Sequence, residues 1–318
     1  MQYRKLVRAG VEISAISLGG HEYLPNQRSR GFNEDFARAV TPGQIFDGFG
    51  QELRKTVLKA AYDHGINFYD VTIDSEKDAL GRNLREMPPP FPIFIQTRPE
   101  GMGYAYDENN VKMAKYNLLK AEVVRILGFL RREAIDILNL PFLQSALDHD
   151  PEYLHKIADN VQRLKAEGLV RWVCCDNFSG EATYLKQIEA GCFDSVFINF
   201  SFGDNEPERV VLPCAAAAGL GVVTREVLMK SELFQMAAEA GTEDFNGLAR
   251  ASVKWNLAHP EVTTVVYGAA KADYLVSVMA ALESPELDEY EAGLLERVRQ
   301  TDLFMKFQSE KKKAFVGS

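Results

Sequence analysis

Eight short apolar stretches of the chain each end on, or run straight into, side chains able to do chemistry. His21, Glu22 and Tyr23 follow the stretch 13–18, Asp70 closes 66–70, and Arg98 comes directly after 93–97. Asn139 stands near the end of 135–140, Asp176 and Asn177 follow 170–175, and Asn199 closes 195–199. Arg225 ends 221–225 and Glu226 follows it, and Gly268 and Lys271 come after 263–267. Carboxylates and an imidazole move protons, guanidiniums hold anions, and amides orient hydroxyl or carbonyl groups. Gathered in one place they make a site for a small polar ligand, with Tyr23, Asn139 and Glu226 as candidate substrate contacts. Asp70 and Arg98 fall on successive stretches at similar height, which predicts an ion pair between them. His21 is the one histidine of five placed just past an apolar stretch; it is a candidate proton donor, with a plain hydrogen-bonding role as the simpler alternative. Asp70, Asp176, Glu226 and His21 lack the close spacing of metal ligands, so no metal is expected.

The elements that position these groups follow from periodicity. The apolar stretches are about five or six residues long and rich in Val, Ile and Phe, as strands covered on both faces require. Between them the helical period recurs: Leu154, Ile157, Ala158, Val161 and Leu164 share one face, as do Leu119, Val123, Leu127 and Leu130. His64-Gly65 stops the helix that contains Val57, Leu58 and Ala61. Eight strands with intervening helices predict an α/β chain folded as a (β/α)8 TIM barrel, with its chemistry at the carboxyl ends of the strands. An open doubly wound sheet would call for a GxGxxG turn after its first strand, which is absent. No linker divides residues 1–318, so one domain is expected. Segment 24–50, loaded with Gly, Pro, Asn and Arg, is a candidate lid on the active face. Residues 300–318 read as a C-terminal tail whose Lys311, Lys312 and Lys313 are a solvated end.

Composition narrows the partners. With 36 Lys and Arg against 45 Asp and Glu, the net charge of −9 disfavours nucleic acid. No uncharged apolar run approaches the ~18 residues of a membrane span, and no apolar signal core follows Met1. The four cysteines form no CxxC pair and read as small buried apolar groups, Cys174 and Cys175 on opposite faces of one strand. These features predict a cytoplasmic protein with a small polar ligand.

Several segments also carry a resemblance. Tyr3-Arg4-Lys5-Leu6 with Gly10-Val11-Glu12-Ile13-Ser14, then Ser17-Leu18-Gly19-Gly20, are similar to the N-terminal β-hairpin and first barrel strand of the aldo-keto reductase family. Gly65-Ile66-Asn67-Phe68-Tyr69-Asp70, Leu80-Gly81, Ala134 to Leu138, Gly168 to Val173 with Asn177-Phe178-Ser179, and Trp255 to Ala269 resemble later segments of the same family. The resemblance implies NADP- or NAD-linked carbonyl/alcohol interconversion through an Asp, Tyr, Lys and His tetrad. Asp70 stands at the aspartate position, while 71–76 holds no tyrosine, Arg98 replaces the lysine and Pro141 the histidine. Asp70, Arg98 and His21 are therefore the catalytic candidates of a non-standard proton relay. The resemblance further places Asp176, Asn177, Arg225, Gly268 and Lys271 along the cofactor, with Arg225 where a tyrosine stacks on nicotinamide. A non-redox sugar-type isomerase or lyase, or a ligand-binding barrel without catalysis, is the alternative.

Overall fold

The computed structural model describes residues 1–26 and 28–317; Gln27 of segment 24–50 and Ser318 of the tail lie outside the described residues. Strands β1 (Tyr3–Leu6) and β2 (Val11–Ser14) pair antiparallel as a hairpin. Eight parallel strands then close into a barrel: β3 (Ile16–Gly19), β4 (Phe68–Val71), β5 (Phe94–Thr97), β6 (Ile135–Pro141), β7 (Val170–Asp176), β8 (Ser195–Asn199), β9 (Gly221–Arg225) and β10 (Val262–Tyr267). β10 bonds to β3 and completes the ring. The (β/α)8 barrel and its N-terminal hairpin are those expected.

One apolar stretch divides. Residues 13–18 supply both the end of β2 and most of β3, because Ala15 turns the chain from antiparallel pairing to parallel pairing with β4 and β10. Asn67 secures this corner, its Oδ1 accepting from the Ser14 amide at 2.8 Å.

Period-2 alternation sorts the strand residues between two cores. Tyr69, Val71, Leu138, Cys175 and Val222 face outward into the large cluster shared with the helices. Phe68, Ile137, Cys174, Phe197 and Val223 face inward and meet Leu6 and Ile13 of the hairpin. Cys174 and Cys175 thus take opposite faces as expected, whereas Cys192 and Cys214 are only half-buried, being placed in the connection before β8 and in a short helix. Arg8 fastens the hairpin below the barrel by donating to the carbonyls of Gly191, Phe193 and Ala218, just ahead of β8 and β9. The barrel floor is therefore apolar and plugged, and polar residues occupy the opposite end.

The C-terminal residues are not a solvated tail. They form the helix Asp302–Val316, which buries Phe304 and Phe307 against the barrel's flank. Lys311 pairs with Glu226 at 3.2 Å and Asp204 at 3.3 Å, and Lys312 with Glu206 at 3.2 Å. Segment 24–50 has a small core of its own, Ala39, Phe46 and Phe49 packed on Ile73 and Ala79. No helix among the described residues is long and apolar enough to cross a membrane.

Leu6 is fully buried in the interior cluster. Leu6→Ala is expected to lower unfolding free energy by about 2–5 kcal/mol, through lost transfer energy and the cavity left behind. Urea denaturation followed by tryptophan fluorescence checks this.

Candidate active site

Above the apolar interior lies a ring of inward polar side chains: Asp70 on β4, Gln96 on β5, Asn139 on β6, Asp176 on β7 and Arg225 on β9. Asp176 is fully buried at its centre. Arg225 clamps it with two bonds, Nη1 to Oδ2 at 2.8 Å and Nη2 to Oδ1 at 2.7 Å. Asn139 Nδ2 donates to Oδ2 at 3.0 Å, and the Tyr104 hydroxyl donates to the same oxygen. Arg225 is itself held flat, its Nε donating to Asn199 Oδ1 at 2.6 Å and its guanidinium lying between the rings of Phe178 and Phe197. A buried carboxylate is stable only with such complete hydrogen bonding.

Tyr104 arrives from the connection after β5, and two local features aim it. Gly103 lies so close to Pro141 that a β-carbon would collide with the proline ring. Tyr104 itself adopts φ +48°, a left-handed backbone that costs a bulky residue on the order of 1–3 kcal/mol. Its hydroxyl lies 3.2 Å from Arg225 Nη1 and 3.4 Å from Arg98 Nη1. Burial pushes its pKa upward, with Asp176 adding to the shift.

At the other side of the mouth His21 Nδ1 lies 2.7 Å from Glu76 Oε1. The remaining oxygen of Glu76 accepts from the Thr72 amide at 2.8 Å and the Thr72 hydroxyl at 3.0 Å. Removal from water works against the imidazolium, but Glu76, with Asp70 further off, outweighs it and raises the His21 pKa. Glu76 moves the opposite way: burial opposes its charge, but His21 and Thr72 keep it below the usual carboxylate range. Burial lifts Asp70 to about 6, moderated by its bond from Gln96 Nε2 at 2.9 Å. The His21 side chain remains 40% exposed, open to a ligand.

The expected Asp70–Arg98 ion pair does not form. Asp70 is level with Gln96 in the strand register and bonds to it, whereas Arg98 lies beyond the end of β5 and turns to Tyr104. Asp70, Arg98 and His21 do share one electrostatic neighbourhood. Asn139, Asp176 and Arg225 join in the central cluster, and Tyr23 packs its hydroxyl against Gly268, 2.6 Å from where a β-carbon would sit. Glu226 is drawn away by Lys311 and Lys230, and Lys271 is exposed at the rim. Tyr69 faces outward, its hydroxyl donating to the Ile66 carbonyl at 2.9 Å. Sequence reasoning missed Glu76, Gln96 and Tyr104. Gln96 carried a signal, being two residues after Phe94 on the same strand and hence on the same face. Glu76, four residues after Thr72 in the first turn of the helix Asp74–Glu86, carried a weaker one. Among the described residues no three His, Cys, Asp or Glu side chains converge as a metal would need.

A model of the Aldo/keto reductase family matches residues 44–246. The chain belongs to the aldo/keto reductase family. Among solved structures it is similar to the aldo-keto reductase AKR11C1 from Bacillus halodurans in its holo form, with a TM-score of 0.67 and 17% identity over 94% of this chain and 96% of that one. It is likewise similar to the glycerol dehydrogenase AKR11B4 from Gluconobacter oxydans, with a TM-score of 0.69 and 18% identity over 95% and 96% of the two chains. At these identities the likeness speaks for the fold. No curated protein matches significantly.

The family implies a nicotinamide dinucleotide, and the side chains at the two ends of its expected path differ. At the nicotinamide end the Asn177 Oδ1 accepts from the amides of Ser179 and Gly180, and its Nδ2 donates one hydrogen to Gln187 Oε1 at 3.1 Å. Arg225 and Asp176 are committed to each other. As arranged, Arg225, paired with Asp176 and lying against Phe178 and Phe197, does not fit beside a nicotinamide. At the far end the helix Ala272–Met279 has no side-chain cap, and Lys271 precedes it.

Because Asp176 and Arg225 neutralise each other out of water, Asp176→Asn is expected to cost about 3–5 kcal/mol by leaving a buried guanidinium uncompensated. Asp176→Asn combined with Arg225→Met should recover part of that loss. Chemical denaturation of the double-mutant cycle measures both, and a single-variant cost under about 1 kcal/mol would place the pair among weak surface interactions.

Proposed function

We propose that the barrel mouth carries out proton-transfer chemistry on a small hydroxy-carbonyl compound, with His21 as the acid, Glu76 as its orienting anion and Asp70 as the base. The observation that carries this reading is the opposed poise of two groups at one mouth. His21 is raised toward the imidazolium, while Asp70, at about 6, is ionised at neutral pH yet basic enough to take a proton.

The balanced step is a shift between a hydroxy-aldehyde and a hydroxy-ketone. Asp70 takes the proton from the hydroxyl-bearing carbon as His21 protonates the carbonyl oxygen, giving an enediol. The second enediol hydroxyl returns a proton to His21, and Asp70 delivers its own to the former carbonyl carbon. No electrons leave the substrate. Phe32, whose ring meets that of His21 edge-on at 5.1 Å, lets segment 24–50 act as a lid over the relay.

The second reading is the family's nicotinamide-linked carbonyl/alcohol interconversion with the same non-standard proton relay. It is supported by family membership and by the uncapped helix beside Lys271. It requires Arg225 to leave Asp176.

Isomerisation of glyceraldehyde without added cofactor, followed across pH, tests the first reading. The rate should rise through about pH 6 as Asp70 ionises and fall above the ordinary histidine range as His21 loses its proton. Glu76→Gln should bring the alkaline limb to lower pH, since the anion holding the imidazolium is gone. Asp70→Asn should cut the rate by about 10²–10⁴. Absence of cofactor-free turnover, or a profile unmoved by Glu76→Gln, contradicts the reading.

A further inference from the structure

Arg98 is charged, nine-tenths buried and without a carboxylate in contact. Among the described residues it makes no ion pair within 4.0 Å, although Arg225, three strands beyond Asn139, takes both oxygens of Asp176. Its Nε has no hydrogen-bond partner, and its Nη1 makes one long bond to Tyr104. Glu100 and Asp176 act on it only from beyond contact. A buried guanidinium left in this state is costly unless an anion completes it.

Two buried acceptors share its end of the barrel. Gln96 spends its amide nitrogen on Asp70 and Asn139 spends its own on Asp176, leaving Gln96 Oε1 and Asn139 Oδ1 without donors. Both strands direct these residues inward, Gln96 two places after Phe94 and Asn139 two places after Ile137, both at the interior cluster. A guanidinium wanting an anionic oxygen and two amide oxygens wanting hydroxyl protons do not suit a simple anion, which cannot donate. They suit a molecule that carries both.

We infer that Arg98, Gln96 Oε1 and Asn139 Oδ1 form a subsite for a short hydroxy acid, so that the substrate of the mouth is a sugar acid, bound by its carboxylate to Arg98 and by its hydroxyls to the two amides. The inference rests on the proposed hydroxy-carbonyl chemistry for its substrate class but not for its test. Asp176 does not repel the ligand, being neutralised by Arg225, and the exposed ring of Phe178 over Arg225 borders the same mouth.

The test is equilibrium binding by calorimetry to the full chain, with D-glycerate, glycerol, propionate and sulfate as probes. Glycerate should bind at least tenfold tighter than any of the other three. Arg98→Gln should lose at least tenfold in glycerate affinity, and Arg98→Lys, which keeps the charge, should lose less. Gln96→Met should narrow the gap between glycerate and propionate; thermal melting confirms that each variant is folded. Equal binding of glycerate and glycerol, equal binding of glycerate and sulfate, or glycerate affinity unchanged in folded Arg98→Gln overturns the subsite. Glycerate binding without any isomerase turnover sinks the proposed proton relay and spares the subsite. Turnover of neutral substrates with no preference for acids does the reverse.

Discussion

A single carboxylate sealed at the axis of the barrel, Asp176, organises the mouth around it. Left alone in that setting its charge would be intolerable, and four donors from three directions answer it: two from Arg225, one from Asn139 and one from Tyr104. Each donor has a further consequence. Arg225 is fixed between Phe178 and Phe197, and Tyr104 is held with its backbone in a left-handed conformation. Asn139 turns its oxygen away unpartnered. The neutralised core leaves Arg98, beside it, as a guanidinium with unfilled capacity, and so bears on what kind of ligand the mouth accepts.

The barrel can carry this polar ring because its interior is sorted by height. Phe68, Ile137, Cys174, Phe197 and Val223, with Leu6 and Ile13 below, fill the lower half and keep water from entering from the hairpin side. The layer above can then hold tightly coupled groups, since removing one partner of a charge pair out of water costs far more than removing one at the surface. The aromatic path His21, Phe32, Phe36, Tyr106, Tyr104 and Phe178 runs from ring to ring across the mouth, joining segment 24–50 to the connection after β5. Proton relay and anion subsite thus share one continuous wall.

Strand positions were legible because doubly covered strands are nearly uniform in hydrophobicity, and 195–199 and 221–225 coincide with β8 and β9. The stretch 13–18 misled because hydrophobicity cannot distinguish a hairpin strand from the barrel strand that follows it. Side chains at strand ends were legible as a set, since a barrel brings them to one face; their pairings were not. Asp70 chooses Gln96 over Arg98 through register, which no composition reveals. Tyr104 could not be read at all: its placement depends on Gly103 pressing on Pro141, a contact between segments far apart in the chain. Lys311 looked like part of a solvated run, yet the helix Asp302–Val316 carries it onto Glu226 and Asp204.

The Arg225–Asp176 clamp stands where the resemblance to the family would put a nicotinamide, and its bonds hold it closed. Fluorescence of NADPH mixed with the chain reports directly on that place, because a seated dihydronicotinamide leaves water and its emission shifts and brightens. With the clamp closed, the unmodified chain should leave free-cofactor emission unchanged up to millimolar NADPH. Blue-shifted, enhanced emission that saturates in the unmodified chain would contradict a closed clamp.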